Sequence, residues 1–298
     1  MDMNTVTANT KSKLKDPRCV DCFRRSYFRL FKKYKVSEIL QTNFLKRFDE
    51  IIKDADKLSS PEIQRELTKE FRNLIGVEDP FLEEKKASNV QALKIFERWE
   101  PVVFEEVDSF KTTLRLAIAG NIMDYGAADH FDIDSVIIKV LHADFAIDHS
   151  CLLKEKIEEA KNILYLGDNA GEIVFDRLFI KSNMSDKVTY VVKGGPVLND
   201  VTLRDADEVK MRRNADVITN GYDAPSTVLE KCSPEFIEHY NKADLIISKG
   251  QGNLEGLINE KDPRIFFLLM VKCDVIAELL GVEKESFVVY NGGIDIEK

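Results

Sequence analysis

The sequence predicts an α/β protein in which a helical N-terminal region precedes a Rossmann-like, three-layer α/β/α domain with a mostly parallel sheet. Two observations support this fold class. Before residue 150, apolar residues recur at helical spacing. After it, short continuous apolar runs, typical of strands buried on both faces, alternate with amphipathic segments. We therefore place a helical region, or two helical subdomains, at 1–150, and the α/β domain that carries the candidate site at 151–298.

Helix signals are clear in the first half of the chain. Asp16-Pro17 and Ser60-Pro61 each combine an N-cap residue with a proline at the first helical position, where its missing N–H costs nothing. Later helices are expected at about 82–99, 102–119 and 132–141. No strand is expected before residue 160.

Six short apolar runs in the second half are the predicted strands. They lie at 163–166, 188–192, 217–219, 245–247, 265–271 and 287–290. The amphipathic segments between them predict the helices that connect parallel strands.

Composition excludes several classes of protein. The formal net charge of −9 argues against nucleic-acid binding, which depends on a basic surface. No stretch approaches the ~20 apolar residues of a membrane span, and the first residues lack the apolar core of a secretory signal. Five cysteines are too few for a disulfide scaffold, so we expect a cytoplasmic protein that does not bind membranes. The oligomeric state stays open.

Oxygen-bearing side chains follow the first predicted strands. The segment GDNAGE at 167–172 comes directly after the first strand, at the edge where open α/β sheets bind ligands. Asp168, Asn169 and Asp205 offer hard oxygen ligands suited to a divalent cation. The ordinary interpretations are a turn or helix cap for Asp168-Asn169 and a solvated helix face for Asp205.

Cationic side chains follow two later strands. The segment SKGQGN at 248–253 contains Lys249, and Lys272 ends the fifth strand. A cation, two ammonium groups and a helix N-terminus at one edge would suit a phosphate group. A lysine-glycine pair at 249–250 can also simply end a strand. The pattern alone therefore predicts a ligand site, most suited to an anion.

At these residues the sequence resembles the metal-dependent damage-control phosphatases, formerly catalogued as domain of unknown function eighty-nine. The resemblance spans about residues 17–291 and includes features of the compact prokaryotic branch. The segments that carry it, in order, are Cys19-Val20-Asp21-Cys22, Asp79-Pro80 with Lys85-Lys86, GNIMDYG at 120–126, GDNAGE at 167–172, Asn199-Asp200 with Asp205, SKGQGN at 248–253 and Lys272-Cys273.

The resemblance implies a metal-dependent phosphoric monoester hydrolase. Its substrates would be small phosphorylated metabolites, either sugar phosphates or damaged phospho-metabolites, and its cofactor a divalent metal (Mn²⁺, Co²⁺, Ni²⁺ or Mg²⁺). The metal ligands carried over are Asp168, Asn169 and Asp205. The substrate-binding residues carried over are Asn121, Lys249, Gly250, Asn253 and Lys272.

We expect a metal-activated water to attack phosphorus. Asp168 is the central metal ligand in this interpretation, and Asp124 or Glu172 would orient the water or take its proton. The sequence does not choose between these two residues.

The cysteines allow two interpretations. Cys19 and Cys22 lie three residues apart and share a helix face, so with Cys273 they form a candidate second metal site. Alternatively, they are reduced thiols packed in the helical region.

Two other functions fit the pattern less well. A Rossmann-like methyltransferase or nucleotide-binding protein would use 167–171 as its cofactor turn, but the turn lacks Gly-x-Gly-x-x-Gly. A non-catalytic docking module would bind a phosphate ligand in the α/β half as a regulator.

Overall fold

The computed structural model describes residues 16–55, 58–105, 108–120, 137–138, 140–184 and 186–295. Within them the α-helices are α1 Pro17–Lys33, α2 Glu38–Lys53, α3 Ser60–Ile75, α4 Leu82–Glu105, α5 Ser109–Ala119, α6 Ser150–Glu159, α7 Glu172–Asn183, α8 Leu203–Glu208, α9 Pro234–Lys242, α10 Gly250–Leu257 and α11 Asp274–Leu280. Short 3₁₀ helices lie at Met211–Arg213, Leu229–Lys231 and Ile258–Glu260. The strands are β1 Phe145–Asp148, β2 Ile163–Leu166, β3 Val188–Val192, β4 Asp216–Thr219, β5 Leu245–Lys249, β6 Ile265–Met270 and β7 Phe287–Asn291.

The strands of the described residues form one sheet in the order β1-β7-β6-β5-β2-β3-β4. Strands β2 to β6 run parallel to one another, whereas β7 is antiparallel to β6 and parallel to β1. The ends of β2, β3, β5 and β6 therefore meet at one edge, which we call the carboxyl edge. The prediction of a mostly parallel sheet is confirmed.

Helices cover both faces of this sheet. One apolar cluster joins sheet residues such as Tyr165 and Ile247 to α4, α5, α6 and α7. A second cluster joins the opposite face, including Leu164 and Ile246, to α9, α10 and α11. The central strands β2, β3, β5 and β6 are buried between these layers, which explains the continuous apolar runs of the sequence. The predicted three-layer architecture is confirmed.

The first three helices carry their own core. Its largest members, which we call the aromatic cluster, are Tyr27, Phe31, Phe44, Phe48 and Phe71. Their rings lie 4.7–6.4 Å apart, centroid to centroid, in tilted and edge-on arrangements. Asp16 caps α1 by accepting from the Arg18 backbone N–H, and Ser59 and Glu62 form a capping box on α3.

The structure differs from the sequence prediction around residues 100–150. Strand β1 precedes residue 160, where no strand was expected, and it joins the sheet beside β7. Its short, half-buried FAID sequence lacks the continuous apolar run of the central strands. Helix α4 continues through Pro101 to Glu105, although a break was expected near residue 100. Since β1, α4 and α5 pack with the sheet, the predicted boundary at residue 150 does not separate two cores.

No helix among the described residues combines the length and apolar character that crossing a bilayer requires.

Candidate active site

The loop between β2 and α7 forms the centre of the carboxyl edge. Asp168 and Asn169 follow β2 directly, and both side chains are buried. Gly171 adopts φ 81° at the start of α7, a conformation that a side chain would strain. Its N–H donates to Asn89 Oδ1 over 2.8 Å, so helix α4 of the N-terminal half holds this loop in place.

Asn169 is fixed by two carboxylates. Its Nδ2 donates to Asp168 Oδ2 over 2.8 Å and to Glu172 Oε1 over 2.7 Å. The loop after β3 lies alongside, because Asn169 and Asp200 form an isolated antiparallel bridge and the Val201 N–H donates to the Asp168 carbonyl. The structure therefore brings Asp200, rather than Asp205, next to the Asp168-Asn169 pair.

Asp200 has an oxygen that the surrounding protein does not satisfy. Its Oδ2 is buried without a hydrogen-bond partner, and the Lys193 ammonium is 3.6 Å away. Burial raises the pKa of Asp200 to about 8, against the lowering effect of Lys193, and the negative charge of Asp168 adds to the rise. A buried carboxylate oxygen that no donor reaches is a group that a cation would satisfy.

Asp205, which the resemblance implies as the third metal ligand, makes structural bonds with both of its carboxylate oxygens. It forms a capping box with Thr202 at the start of α8, and its Oδ2 also lies 2.8 Å from the Lys85 ammonium. Its Oδ1 accepts from Asn89 Nδ2 over 3.2 Å. Both carboxylate oxygens are therefore used by neighbouring protein groups.

Lys249 and Asn253, for which the resemblance implies substrate contacts, are both hydrogen-bonded to protein groups. The buried Lys249 ammonium donates to Ala117 O over 2.7 Å, to Asp176 Oδ1 over 2.6 Å and to Glu172 Oε2 over 3.4 Å. Burial lowers the pKa of Lys249, but the charges of Asp176 and Glu172 outweigh it, so the net shift is upward. With three protein acceptors, this ammonium holds the surrounding side chains in position.

Asn253 is fully enclosed by protein groups. Its Nδ2 donates to Gly167 O and Lys249 O, and its Oδ1 accepts from Lys193 Nζ and Thr227 Oγ1. These bonds tie together the ends of β2, β3 and β5. Both polar atoms of the Asn253 side chain are thus used in joining the strand ends to one another.

Gly250 and Lys272 lie where the sequence placed them, at the carboxyl edge. Gly250 adopts φ 77°, and a Cβ there would collide with the Asp168 carboxylate. The half-buried Lys272 follows β6, and its N–H donates to Gln251 Oε1 over 3.2 Å. Its positive charge is one of the influences that lower the pKa of Glu172. Burial is the largest influence on Glu172 and raises that pKa to about 8.

Other predicted residues are separated or lie outside the described part of the chain. Asn121 and Asp124 lie outside the described residues. Cys22 is exposed on α1, whereas burial raises the pKa of the half-buried Cys19, with a smaller contribution from the charge of Cys273. Across the described ranges, no three His, Cys, Asp or Glu side chains are grouped as a metal site. The cysteine metal site stays a prediction.

The donor set that fits a divalent cation is therefore mixed. It consists of two carboxylates, Asp168 and Asp200, and one amide oxygen, from Asn169. Hard oxygen donors of this kind suit Mg²⁺ and Mn²⁺. The buried Asp200 oxygen without a hydrogen-bond partner and the absence of a side chain on Gly250 next to Asp168 fit a small cation at this position.

The segment from Asn199 to Asp205 contains two aspartates, Asp200 and Asp205. One sequence signal separates the two aspartates: Thr202-Leu203-Arg204-Asp205 has the Ser/Thr-x-x-Asp/Glu spacing of a capping box. That spacing assigns Asp205 to a helix start, and Asp200 lies outside the capping box.

Comparison with known proteins identifies relatives over most of the chain. The family model for the damage-control phosphatase ARMT1-like domain matches residues 16–288. A damage-control phosphatase of Pyrococcus horikoshii is 36% identical over 224 residues, which cover 74% of this chain and 77% of the relative. A damage-control phosphatase of Archaeoglobus fulgidus is 34% identical over 214 residues, 70% of this chain and 74% of that protein.

Two further matches extend over more of the chain. An uncharacterised protein of Methanocaldococcus jannaschii is 34% identical over 283 residues, covering 90% of this chain and 92% of that protein. The crystal structure of the same Pyrococcus horikoshii protein, described as a DUF89 family protein, superposes with a TM-score of 0.86 at 30% identity, covering 93% of this chain and 99% of that one. The protein described here thus belongs to the damage-control phosphatase ARMT1-like (DUF89) family.

Proposed function

We propose that this protein is a metal-dependent phosphatase that hydrolyses small phosphorylated metabolites. The observation that carries the proposal is the buried Asp200 oxygen, without a hydrogen-bond donor, beside the Asp168-Asn169 pair. The damage-control phosphatases among the relatives support the same reaction class. The substrates we infer are sugar phosphates or damaged phospho-metabolites.

The proposed metal ligands are Asp168, Asn169 and Asp200. A divalent cation held there supplies Lewis acidity toward a phosphate oxygen and lowers the pKa of a bound water. The cations we infer are those that the family resemblance implies, namely Mn²⁺, Co²⁺, Ni²⁺ or Mg²⁺, and the hard oxygen donors suit Mn²⁺ and Mg²⁺ among them. The protein's own contribution is to fix the donors in a buried edge where electrostatic interactions are strong.

Lys272 is the proposed phosphate contact. It follows β6 at the carboxyl edge and is half-buried, and its charge acts on Glu172 in the same site. A lysine ammonium there would offset negative charge on the phosphate oxygens during transfer. The resemblance implies the same role for Lys249, but its buried ammonium donates hydrogen bonds to Asp176 and Ala117.

The first experiment measures hydrolysis of p-nitrophenyl phosphate. Activity should disappear with EDTA and return with Mn²⁺. Asp168→Ala should abolish the metal-stimulated rate without unfolding the protein, whereas Glu238→Gln on the exposed side of α9 should leave it unchanged. Normal turnover of Asp168→Ala would remove this residue from the proposal.

A second measurement separates phosphate contact from metal binding. Lys272→Ala should raise KM for the phosphate ester more than it weakens Mn²⁺ binding. Equal losses of both would show that the lysine acts through the metal donors. Thermal stabilisation by S-adenosylmethionine without hydrolysis would instead favour a methyltransferase.

We also infer a reducing, cytoplasmic setting, which the five unpaired cysteines support. The partner we infer is the small phosphorylated substrate, without nucleic acid or membrane.

A further inference from the structure

The side-chain amide of Asn169 has a defined orientation. Its two contacts, Asp168 Oδ2 and Glu172 Oε1, are carboxylate oxygens, which accept hydrogen bonds when ionised. In the structure the amide nitrogen faces both of these side chains, and each of them accepts a hydrogen bond from it. Oδ1 is consequently the end turned away from them. Within the described residues, no hydrogen bond reaches this Oδ1.

Glu172 is held in turn by a buried lysine. Its second oxygen, Oε2, lies 3.4 Å from the Lys249 ammonium. Lys249 cannot follow a rotation of Glu172 easily, because it also donates to Ala117 O and Asp176 Oδ1 over 2.7 and 2.6 Å. All three charged side chains are buried, so their interactions are little screened by solvent.

The sheet anchors the other end of this chain of contacts. Tyr165 on β2 and Tyr190 on β3 are paired in register, and their hydroxyls donate to the two oxygens of Asp176 over 2.7 and 2.8 Å. Gly167 leaves space for the Tyr190 hydroxyl, because a Cβ there would overlap it. The orientation of Asn169 is thus connected, contact by contact, to the rigid centre of the sheet.

We propose that Glu172, held by Lys249, is a positioning residue that turns the Asn169 Oδ1 toward the metal position. The proposal rests on the proposed function, since it concerns the same metal donors. In this proposal Glu172 orients the Asn169 side chain, and Lys249 holds Glu172 in position. Groups that orient metal ligands through hydrogen bonds typically change metal affinity by about 10–100-fold when removed.

The test is a double-mutant cycle on Mn²⁺ affinity, measured on the full chain by electron paramagnetic resonance of free Mn²⁺. In Glu172→Gln, the new amide oxygen should face the Lys249 ammonium and the new NH₂ should face Asn169. The Asn169 amide then loses its acceptor there and turns, which withdraws Oδ1 from the metal. We expect Mn²⁺ to bind at least about tenfold more weakly.

The second arm repeats the change in an Asn169→Asp background. A carboxylate carries oxygen at both ends, so it has no wrong orientation. Glu172→Gln should therefore change Mn²⁺ affinity by less than about threefold in that background, and the difference between backgrounds is the signature of orientation.

The outcomes are distinct. An equal loss in both backgrounds would mean that Glu172 acts through charge alone, and no loss in the Asn169 background would show no role; either result overturns the proposal. If Glu172→Gln does not fold, Glu172→Asp provides the same cycle, because the shorter carboxylate withdraws the acceptor and keeps the charge. Failure of the unsubstituted protein to bind Mn²⁺ would instead contradict the proposed function.

Discussion

The aromatic cluster of α1–α3 and the carboxyl edge of the sheet are both buried, but the first consists of apolar side chains and the second contains charged ones. The cluster contains five large rings, and their one polar side-chain atom, the Tyr27 hydroxyl, bonds to Thr68 and Gln64. The carboxyl edge encloses charged side chains such as Asp168, Glu172, Asp200 and Lys249. Apolar burial stabilises a fold, whereas buried charge costs desolvation that pairing only partly offsets. We therefore expect the aromatic cluster to contribute mainly to stability and the carboxyl edge to carry the proposed site.

The largest expected effect separates Asp200 from Asp205. Asp200→Ala should lower kcat/KM for metal-stimulated phosphate hydrolysis by about 10⁴-fold, because metal-ion catalysis contributes several kcal/mol. Asp205→Ala should instead destabilise the fold by about 3–5 kcal/mol, since it leaves the buried Lys85 ammonium with Asp79 as its remaining carboxylate. Steady-state kinetics and urea unfolding on both variants check this. The reverse pattern would restore Asp205 as the ligand.

Within the aromatic cluster, the expected effect is on stability alone. Phe48→Ala removes a fully buried ring that contacts Tyr27 and Phe44 and lies beneath the Arg24 guanidinium. It should lower the free energy of unfolding by about 3–5 kcal/mol, measured by urea denaturation. Turnover per folded molecule should not change. A specific loss of turnover would show that the two regions are coupled.

Gly250 tests how closely the backbone must approach the metal donors. Gly250→Ala should displace the Asp168 carboxylate and lower kcat/KM by about 100-fold, as a misplacement of about 1 Å can. Gly281→Ala is the matched control, because Gly281 has a similar φ of 68° but open space around it. The control should lose stability from backbone strain and retain its kcat/KM. Similar kinetic losses in both variants would exclude the steric explanation.

The smallest effect concerns the hydroxyls beneath the site. Tyr190→Phe removes one donor from buried Asp176 and should lower the free energy of unfolding by about 1.5 kcal/mol. Tyr240→Phe removes a longer, 3.3 Å bond to Asp262 on the far side of the molecule and should cost about 0.5 kcal/mol. Thermal or urea unfolding measures both. Equal losses would mean that the charge network adds nothing beyond an ordinary hydrogen bond.

The sequence predicted those strands whose signal is local. The runs at 163–166 and 188–192 have the bounds of β2 and β3, because continuous apolar residues end at turn residues there. Strand β1 escaped detection since an edge strand with alternating burial over four residues resembles a loop. Helix α4 continues through Pro101, whose exposed position makes a proline easier to accommodate.

The candidate site was predicted only in part, for a physical reason. Strand ends identify which residues reach the carboxyl edge, as Asp168 and Lys272 do. They do not identify which way a long side chain turns. Lys249 turns inward because Asp176, one turn into α7 from Glu172, offers a buried carboxylate between two tyrosines. That arrangement depends on the packing of α7 against β2 and β3. The spacing of these residues along the chain does not predict it.

Asn89 determines where this protein could be cut into fragments. From α4 it accepts the Gly171 N–H and donates to Asp205 and Glu208, so one amide joins α4 to the loop before α7 and to α8. A fragment containing only the sheet and its later helices would therefore lack a component of its own ligand loop. The loop that carries Asp168 and Asn169 therefore depends on a side chain from the helical half of the chain.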